Sequence, residues 1–337
     1  MKKTIAITFL FLLLASFACT STKESGGALA STPLSPNKAD GYFAGKIHPE
    51  SSGKSQVFFT KNISPAGLVG VYRALGANPA GKVAVKLSTG EPPKSNYLKP
   101  ELIKDLVQLV GGTIVECNTA YGSKRASNAM HLQVAKDHGF TAIADFDLQD
   151  AEGEISLPVT GGEVLKENFV GSHFVNYNYY VVLSHFKGHA MAGYGGAIKN
   201  ISIGIASAAG KSWIHSGGKY KTGLSGNQDA FCKSMAEAGK SVSDSLKNNI
   251  LYINVMNRLS IDCDCNGNPA EPEIHDIGIL SSFDPVALDQ ACVDLIFEAK
   301  GNDSMLARIK NRNGLLTLEH AEKISLGTRG YQLVKID

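Results

Sequence analysis

Short apolar, β-branched runs alternate with longer amphipathic stretches along most of this chain, and that alternation limits its fold more than any other feature. Residues 57–60, 82–87, 113–117 and 142–146 read as strands, with 65–75, 100–110 and 127–138 as the helices between them. Residues 174–183 (FVNYNYYVVL) read as a buried strand, 228–247 as a long amphipathic helix, and 250–255 as a second buried strand. A short strand at 276–280 precedes a helix over 284–299, with Pro285 in its first turn and apolar residues at helical spacing. The remainder, 301–337, reads as a small helix pair and a closing strand. Strand and helix in repeated order predict an α/β fold: a mainly parallel sheet with helices on both faces, as one domain or two intimately joined halves.

Ligands of such sheets gather at the carboxyl ends of the strands, so the residues that follow each strand carry the most weight. Residues 184–199 (SHFKGHAMAGYGGAIK) follow the strand at 174–183 and lead through a glycine-rich turn into a helix. Gly193, Gly195 and Gly196 let the backbone take positive φ and let a ligand come close, while the free amides of a helix beginning near Gly195 attract an anion. Lys199 falls in the first helical turn, where its charge opposes the helix dipole unless it meets a phosphate or carboxylate. His185, Lys187 and His189 alternate, so on an extended backbone they project to one side and line a common cleft. A glycine turn that only permits close strand–helix packing gives the same pattern.

Three further groups follow strands. Residues 118–125 (NTAYGSKR) form a polar loop in which Tyr121, Lys124 and Arg125 are candidates for an anion or cofactor, against the alternative of a solvated loop capping the next helix. His215 lies beyond the central helix. Asp262, Cys263, Asp264 and Cys265 place two thiols two residues apart between carboxylates, a set able to chelate a metal, with a turn of buried thiols or a local disulfide as the alternatives. Asp276 and Asp284 are candidates for orienting these groups, although Asp284 before a proline is more simply a helix cap.

The N-terminus stands apart from the fold. Lys2 and Lys3 precede an apolar run over 5–18, too short for a membrane span and laid out as a secretory signal. Ser16-Phe17-Ala18-Cys19 resembles a relaxed bacterial lipobox, which predicts a signal peptide over 1–18 and an exported protein lipid-anchored at Cys19, in the periplasm or on the outer membrane. A Ser/Thr/Lys/Gly/Pro-rich tether is expected over 19–56, an α/β domain over 57–300 and a C-terminal extension over 301–337. A net charge of +2 without basic runs excludes nucleic acid as a partner. Cys117, Cys232, Cys263, Cys265 and Cys292 are too unevenly spaced for a disulfide framework.

Residues 184–211, 262–265 (DCDC) and 276–289 (DIGILSSFDPVALD) together resemble a large prokaryotic family of uncharacterised iron-sulfur-centre proteins, a domain of unknown function (DUF362-like), over about 57–296. Many members carry a ferredoxin-like insert with cysteine quartets. The corresponding region here, 212–246, holds only Cys232, so a simple metal ion (nickel, iron or zinc) is expected ahead of an iron-sulfur cluster. The run from His189 through Gly193, Gly195 and Gly196 to Lys199, with His215 downstream, is similar to the signature of lactate racemase and related nickel-pincer-nucleotide enzymes. That resemblance implies Lys199 as a covalent cofactor tether, His215 as a nickel ligand and His189 as an acid/base. The second catalytic histidine of those enzymes has no counterpart in the loop at 118–125, and they lack the Asp-Cys-Asp-Cys element.

Three readings follow. The first is a metal- or cofactor-dependent oxidoreductase or isomerase acting on a small anionic substrate, with a redox partner as an option, in which Lys199 and the amides near Gly195 hold the anion, His189 with His185 or Lys187 moves protons, and Cys263 and Cys265, with Asp262 or Asp264, hold a metal or redox centre. The second is a noncatalytic envelope lipoprotein that binds a metal or an anionic ligand. The third is an interaction module that keeps an ancestral pocket.

Overall fold

The computed structural model describes residues 41–49, 55–247 and 249–337; the expected signal peptide, Cys19 and most of the expected tether lie outside them. The chain opens with β1 (Ser55–Thr60), α1 (Pro65–Ala74), β2 (Val83–Lys86), α2 (Pro100–Leu109), β3 (Gly112–Glu116), α3 (Asn128–Asp137) and β4 (Phe146–Leu148). A hairpin of β5 (Glu154–Pro158) and β6 (Glu167–Gly171) precedes the central β7 (Tyr179–His185) and the short pair β8 (Lys187–His189) and β9 (Gly193–Gly195). Then come α4 (Ala197–Ser202), α5 (Ala208–His215), α6 (Gln228–Leu246), β10 (Ile250–Met256), β11 (Gly278–Ser282), α7 (Pro285–Glu298), α8 (Asp303–Asn311), α9 (Leu316–Lys323) and β12 (Tyr331–Lys335).

Eight strands form one sheet in the order β12-β1-β11-β10-β7-β2-β3-β4. All neighbours run parallel except β11, which is antiparallel to both β1 and β10. Successive side chains on a strand face opposite sides, and both sides here are apolar. Val83, Val85, Val181 and Leu183 pack with α1 and α2 through Leu68, Val71, Ile103 and Leu106. Ala84, Tyr180, Val182 and Tyr252 face the other way, onto α4, α6 and α7 through Ile198, Ile201, Val242 and Leu288. Uninterrupted apolar runs in the central strands therefore reflect burial on both faces.

Three boundaries differ from expectation. The strand expected at 142–146 is a turn of 3₁₀ helix (Phe140–Ala142) followed by β4, and the first part of the stretch at 174–183 is another 3₁₀ turn (Ser172–Asn176). Apolar residues in both places are buried by turns, which composition cannot separate from strands; Asn178 also diverts the chain, its Oδ1 accepting the Lys82 amide at 2.9 Å. The expected tether also ends earlier. Within 41–49, Phe43 is buried and its ring lies 5.5 Å from that of Phe297, while the Tyr42 hydroxyl accepts the Leu315 amide and the Lys46 carbonyl accepts Gln290 Nε2. At the other end, the closing strand expected within 301–337 is β12, the edge strand of the main sheet, paired with β1 from Ser55 to Phe59.

Candidate functional site

Because β7, β2 and β3 are parallel neighbours, their last residues His185, Lys86 and Glu116 emerge at one end of the sheet. A cavity of about 320 Å³ opens there. Its wall takes in Lys187, His189, Gly195, Gly196, Lys199 and His215 from the central motif, Tyr121 and Arg125 from the loop after β3, and Cys263, Asp264 and Cys265 from the loop after β10. Gly188 makes that last approach feasible: its amide donates to the Ser260 carbonyl at 2.9 Å, and a Cβ there would lie 2.4 Å from the Ile261 carbonyl oxygen.

His185, Lys187 and Asp264 form a closed polar set. Asp264 Oδ1 accepts from His185 Nδ1 at 2.8 Å and Oδ2 from Lys187 Nζ at 2.7 Å, while His185 Nε2 donates to the Asn257 carbonyl at 2.6 Å. Burial opposes the Asp264 charge, but Lys187 and His185 outweigh it and hold the carboxyl far below its usual range. His185 and Lys187, expected to move protons, both bond Asp264 in this arrangement.

His189 and His215 are held as opposite tautomers. His189 Nδ1 accepts the amides of Met191 and Ala192 at 3.1 and 2.9 Å, so the neutral ring carries its proton on Nε2. Burial, with Lys199, His215 and Lys187 nearby, keeps its pKa well below the ordinary histidine value. His215 Nδ1 instead donates to the Lys211 carbonyl at 2.7 Å, leaving a lone pair on Nε2, and burial lowers this ring to about 4. One ring is a hydrogen-bond donor, while the other is oriented as metal-ligating histidines are.

The Lys199 amine makes no hydrogen bond or ion pair among the described residues; burial, followed by the Lys187 charge, pushes it down to about 7. Two further lysines on the cavity wall were not singled out from the sequence. Lys86 Nζ donates to the Leu87 carbonyl at 2.5 Å and to Asn200 Oδ1 at 3.0 Å, and burial lowers it to about 8; Lys211 Nζ donates to the Ala206 carbonyl at 2.6 Å. Lys86 ends an apolar strand at the ligand-bearing edge, a signal that was available. Lys211 ends an alanine- and glycine-rich stretch and carried no local signal.

The expected anion nest at the start of α4 is occupied from within. Asp289 of α7 accepts the Ala197 and Ile198 amides at 2.7 and 3.0 Å and Asn254 Nδ2 at 2.7 Å. Burial pushes Asp289 up to about 6, against these three donors. Gly196 lets the carboxylate in, since a Cβ there would lie 2.3 Å from Asp289 Oδ1. The amides near Gly195 are therefore not free for a ligand. Gly193, at φ 84°, faces Ile309 and Gly314 instead of the cavity.

In the loop after β3, Arg125 is spent on Glu91 and Glu116, both at 3.1 Å, while Lys124 is exposed and off the cavity wall and Tyr121 stands partly exposed at it. Glu116 also accepts from Thr89 and contacts His131 Nε2 at 3.0 Å; against the cost of burial, His131, Arg125 and Lys86 hold it well below the usual carboxylate range.

Cys263 and Cys265 are joined as a disulfide, so in this state they are not metal ligands. A ring nitrogen of His189 lies with the two sulfurs in a cluster whose atoms are all within 4.8 Å of one another, a set that would hold a metal once reduced. His215 and the two aspartates expected with the cysteines are not in that cluster. Asp264 is bound as described, and Asp262 turns away from the cavity, its Oδ2 accepting the Ala270 amide at 3.2 Å. Asp276 accepts the Arg258 amide, and Asp284 caps α7 through the Val286 and Ala287 amides.

The family profile described as Domain of unknown function (DUF362) matches residues 83–294, which span β2 to α7 and the cavity. No curated protein matches the chain. Among solved structures, the lactate racemase apoprotein of Thermoanaerobacterium thermosaccharolyticum aligns at 15% identity and TM-score 0.40 over 71% of this chain and 56% of its own. A Thermotoga maritima protein from a structural-genomics consortium aligns at 13% identity and TM-score 0.40 over 68% of this chain and 58% of its own. The chain thus spans little more than half the length of either structure.

Proposed function

We propose, starting from a chain that belongs to the DUF362 family, that the cavity is the active site of an isomerase or oxidoreductase acting on a small organic anion. One observation carries this reading: Lys199 presents an amine with no hydrogen bond or ion pair among the described residues, lowered to about 7, to a cavity that also holds Lys86 and Lys211, whose amines bond only carbonyl and amide oxygens. An excess of cationic side chains over carboxylates in a partly enclosed site favours an anionic ligand, and an amine near neutrality is a nucleophile at physiological pH. His189, with its proton on Nε2, supplies a hydrogen-bond donor to a substrate oxygen.

The residues fit a cofactor of the nickel-pincer kind. Lys199 would tether it, and His215, with Nε2 free and Nδ1 fixed on the Lys211 carbonyl, would take the metal. Such a group, when bound, accepts and returns hydride at a hydroxylated carbon. His189 would then hold the substrate oxygen through its Nε2–H, while Lys86 and Lys211 hold the anionic end.

The test is intact mass and elemental analysis of protein purified anaerobically from its own host. A covalent adduct on Lys199 with stoichiometric metal, both lost in Lys199→Ala, is the expected result. A clean mass without metal, together with binding of small carboxylates that is unchanged in His189→Ala, would replace the enzyme by a noncatalytic binding protein. Export and lipid attachment belong to the same proposal, supported by Lys2, Lys3 and the apolar run ending at Cys19. A mature chain that does not begin at a lipidated Cys19 would remove the anchor.

A further inference from the structure

We propose that Cys263 and Cys265 form a redox-active disulfide that exchanges with a small anionic thiol admitted to the cavity. The bridge is in the cavity wall, where a dissolved thiol can reach it; the unbridged Cys117, on the same wall, is 1% exposed, and Cys232 and Cys292 are buried away from it. Its two sulfurs are not equivalent. Cys263 is 7% exposed and its Sγ accepts the Cys265 amide at 3.4 Å, while Cys265 is more open. Attack on the accessible sulfur expels the other, and an amide donor favours the thiolate that leaves. The geometry therefore makes Cys265 the attacked sulfur and Cys263 the leaving one, with a ring nitrogen of His189 beside both sulfurs.

Both bond changes balance. A thiolate RS⁻ attacks Cys265 Sγ, a mixed disulfide forms, and the bond to Cys263 breaks with its electron pair staying on Cys263 Sγ, which takes a proton. A second thiolate, or the second sulfur of a dithiol, attacks the sulfur of R and releases Cys265 as thiolate. Two thiols are oxidised to RSSR, the protein disulfide is reduced to two thiols, and the two protons of the thiols end on the protein. The choice of an anionic thiol follows from Lys86, Lys199 and Lys211 on the same wall. This proposal uses neither a metal nor a covalent bond to Lys199, so it stands or falls apart from the preceding reading.

The experiment follows reduction of the full-length native protein by reduced glutathione and by 2-mercaptoethanol at equal thiolate concentration, with alkylation and peptide mapping of the 263–265 segment. Glutathione, carrying net negative charge, is expected to reduce the bridge about tenfold faster or more at low salt, with the advantage lost at high salt. In a second arm, Cys263→Ser treated with glutathione disulfide should keep a glutathionyl group on Cys265, and Cys265→Ser should gain none on Cys263. A bridge that neither thiol reduces without denaturant overturns the proposal. Equal rates for the two thiols overturn the anionic substrate, and an adduct on Cys263 in place of Cys265 overturns the assigned order. The wild-type kinetics hold even if either variant fails to fold.

Discussion

Lys199 sets the character of the site because burial and the Lys187 charge outweigh the pull of Asp264 on its amine. Its pKa, about 7 in the folded chain against an ordinary 10.5, makes it a base that folding leaves harder to protonate. The penalty is absent where both states are neutral, grows as pH falls from about 10.5, and is complete below about 7, where the folded protein must also carry the charge. Lys199→Met should therefore be more stable than the wild type by about 1–2 kcal/mol near pH 6–7, with the gain fading toward pH 10. Denaturant midpoints across that range measure it, and a gain independent of pH would mean that the amine has a partner. Sequence reading found Lys199 from its place after the glycines, yet placed it against free amides. Asp289, 92 residues away, holds those amides instead.

At the scale of elements, the site depends on how α4 is seated. Six residues make a weak helix on their own, and α4 is fixed because Asp289 of α7 closes its first turn over Gly196. Gly196→Ala would drive a Cβ into that carboxylate, so we expect a loss of about 1–3 kcal/mol and displacement of Lys199. Thermal unfolding reads the first effect; the rate of Lys199 acylation by a small anionic ester reads the second. An alanine variant equal to wild type in both would separate the cap from the site. The strands feeding the cavity were legible from their apolar runs, and His185, Lys187 and His189 all line the cavity, the first two bonded to Asp264, a contact no local pattern records.

Across the whole molecule, residues 41–49 belong to the folded body. Phe43→Ala should cost about 2–4 kcal/mol by emptying a pocket against α7, measurable as a lowered denaturation midpoint; no change would return the segment to the tether. Among the described residues no helix is long and apolar enough to cross a membrane. The sequence by itself determined the α/β class, most helix and strand positions, the family and the stretches that meet at the cavity, because periodicity, Pro and Gly act over a few residues. Only the tertiary structure decided the sheet order, the antiparallel β11, the disulfide state of Cys263 and Cys265, and the pairing of Asp264, Glu116 and Asp289 with cations and amides. It also decided which lysines remain without a carboxylate. These depend on which distant segments share one burial volume, where desolvation makes each charge take a partner or shift its pKa, and no local pattern records that choice.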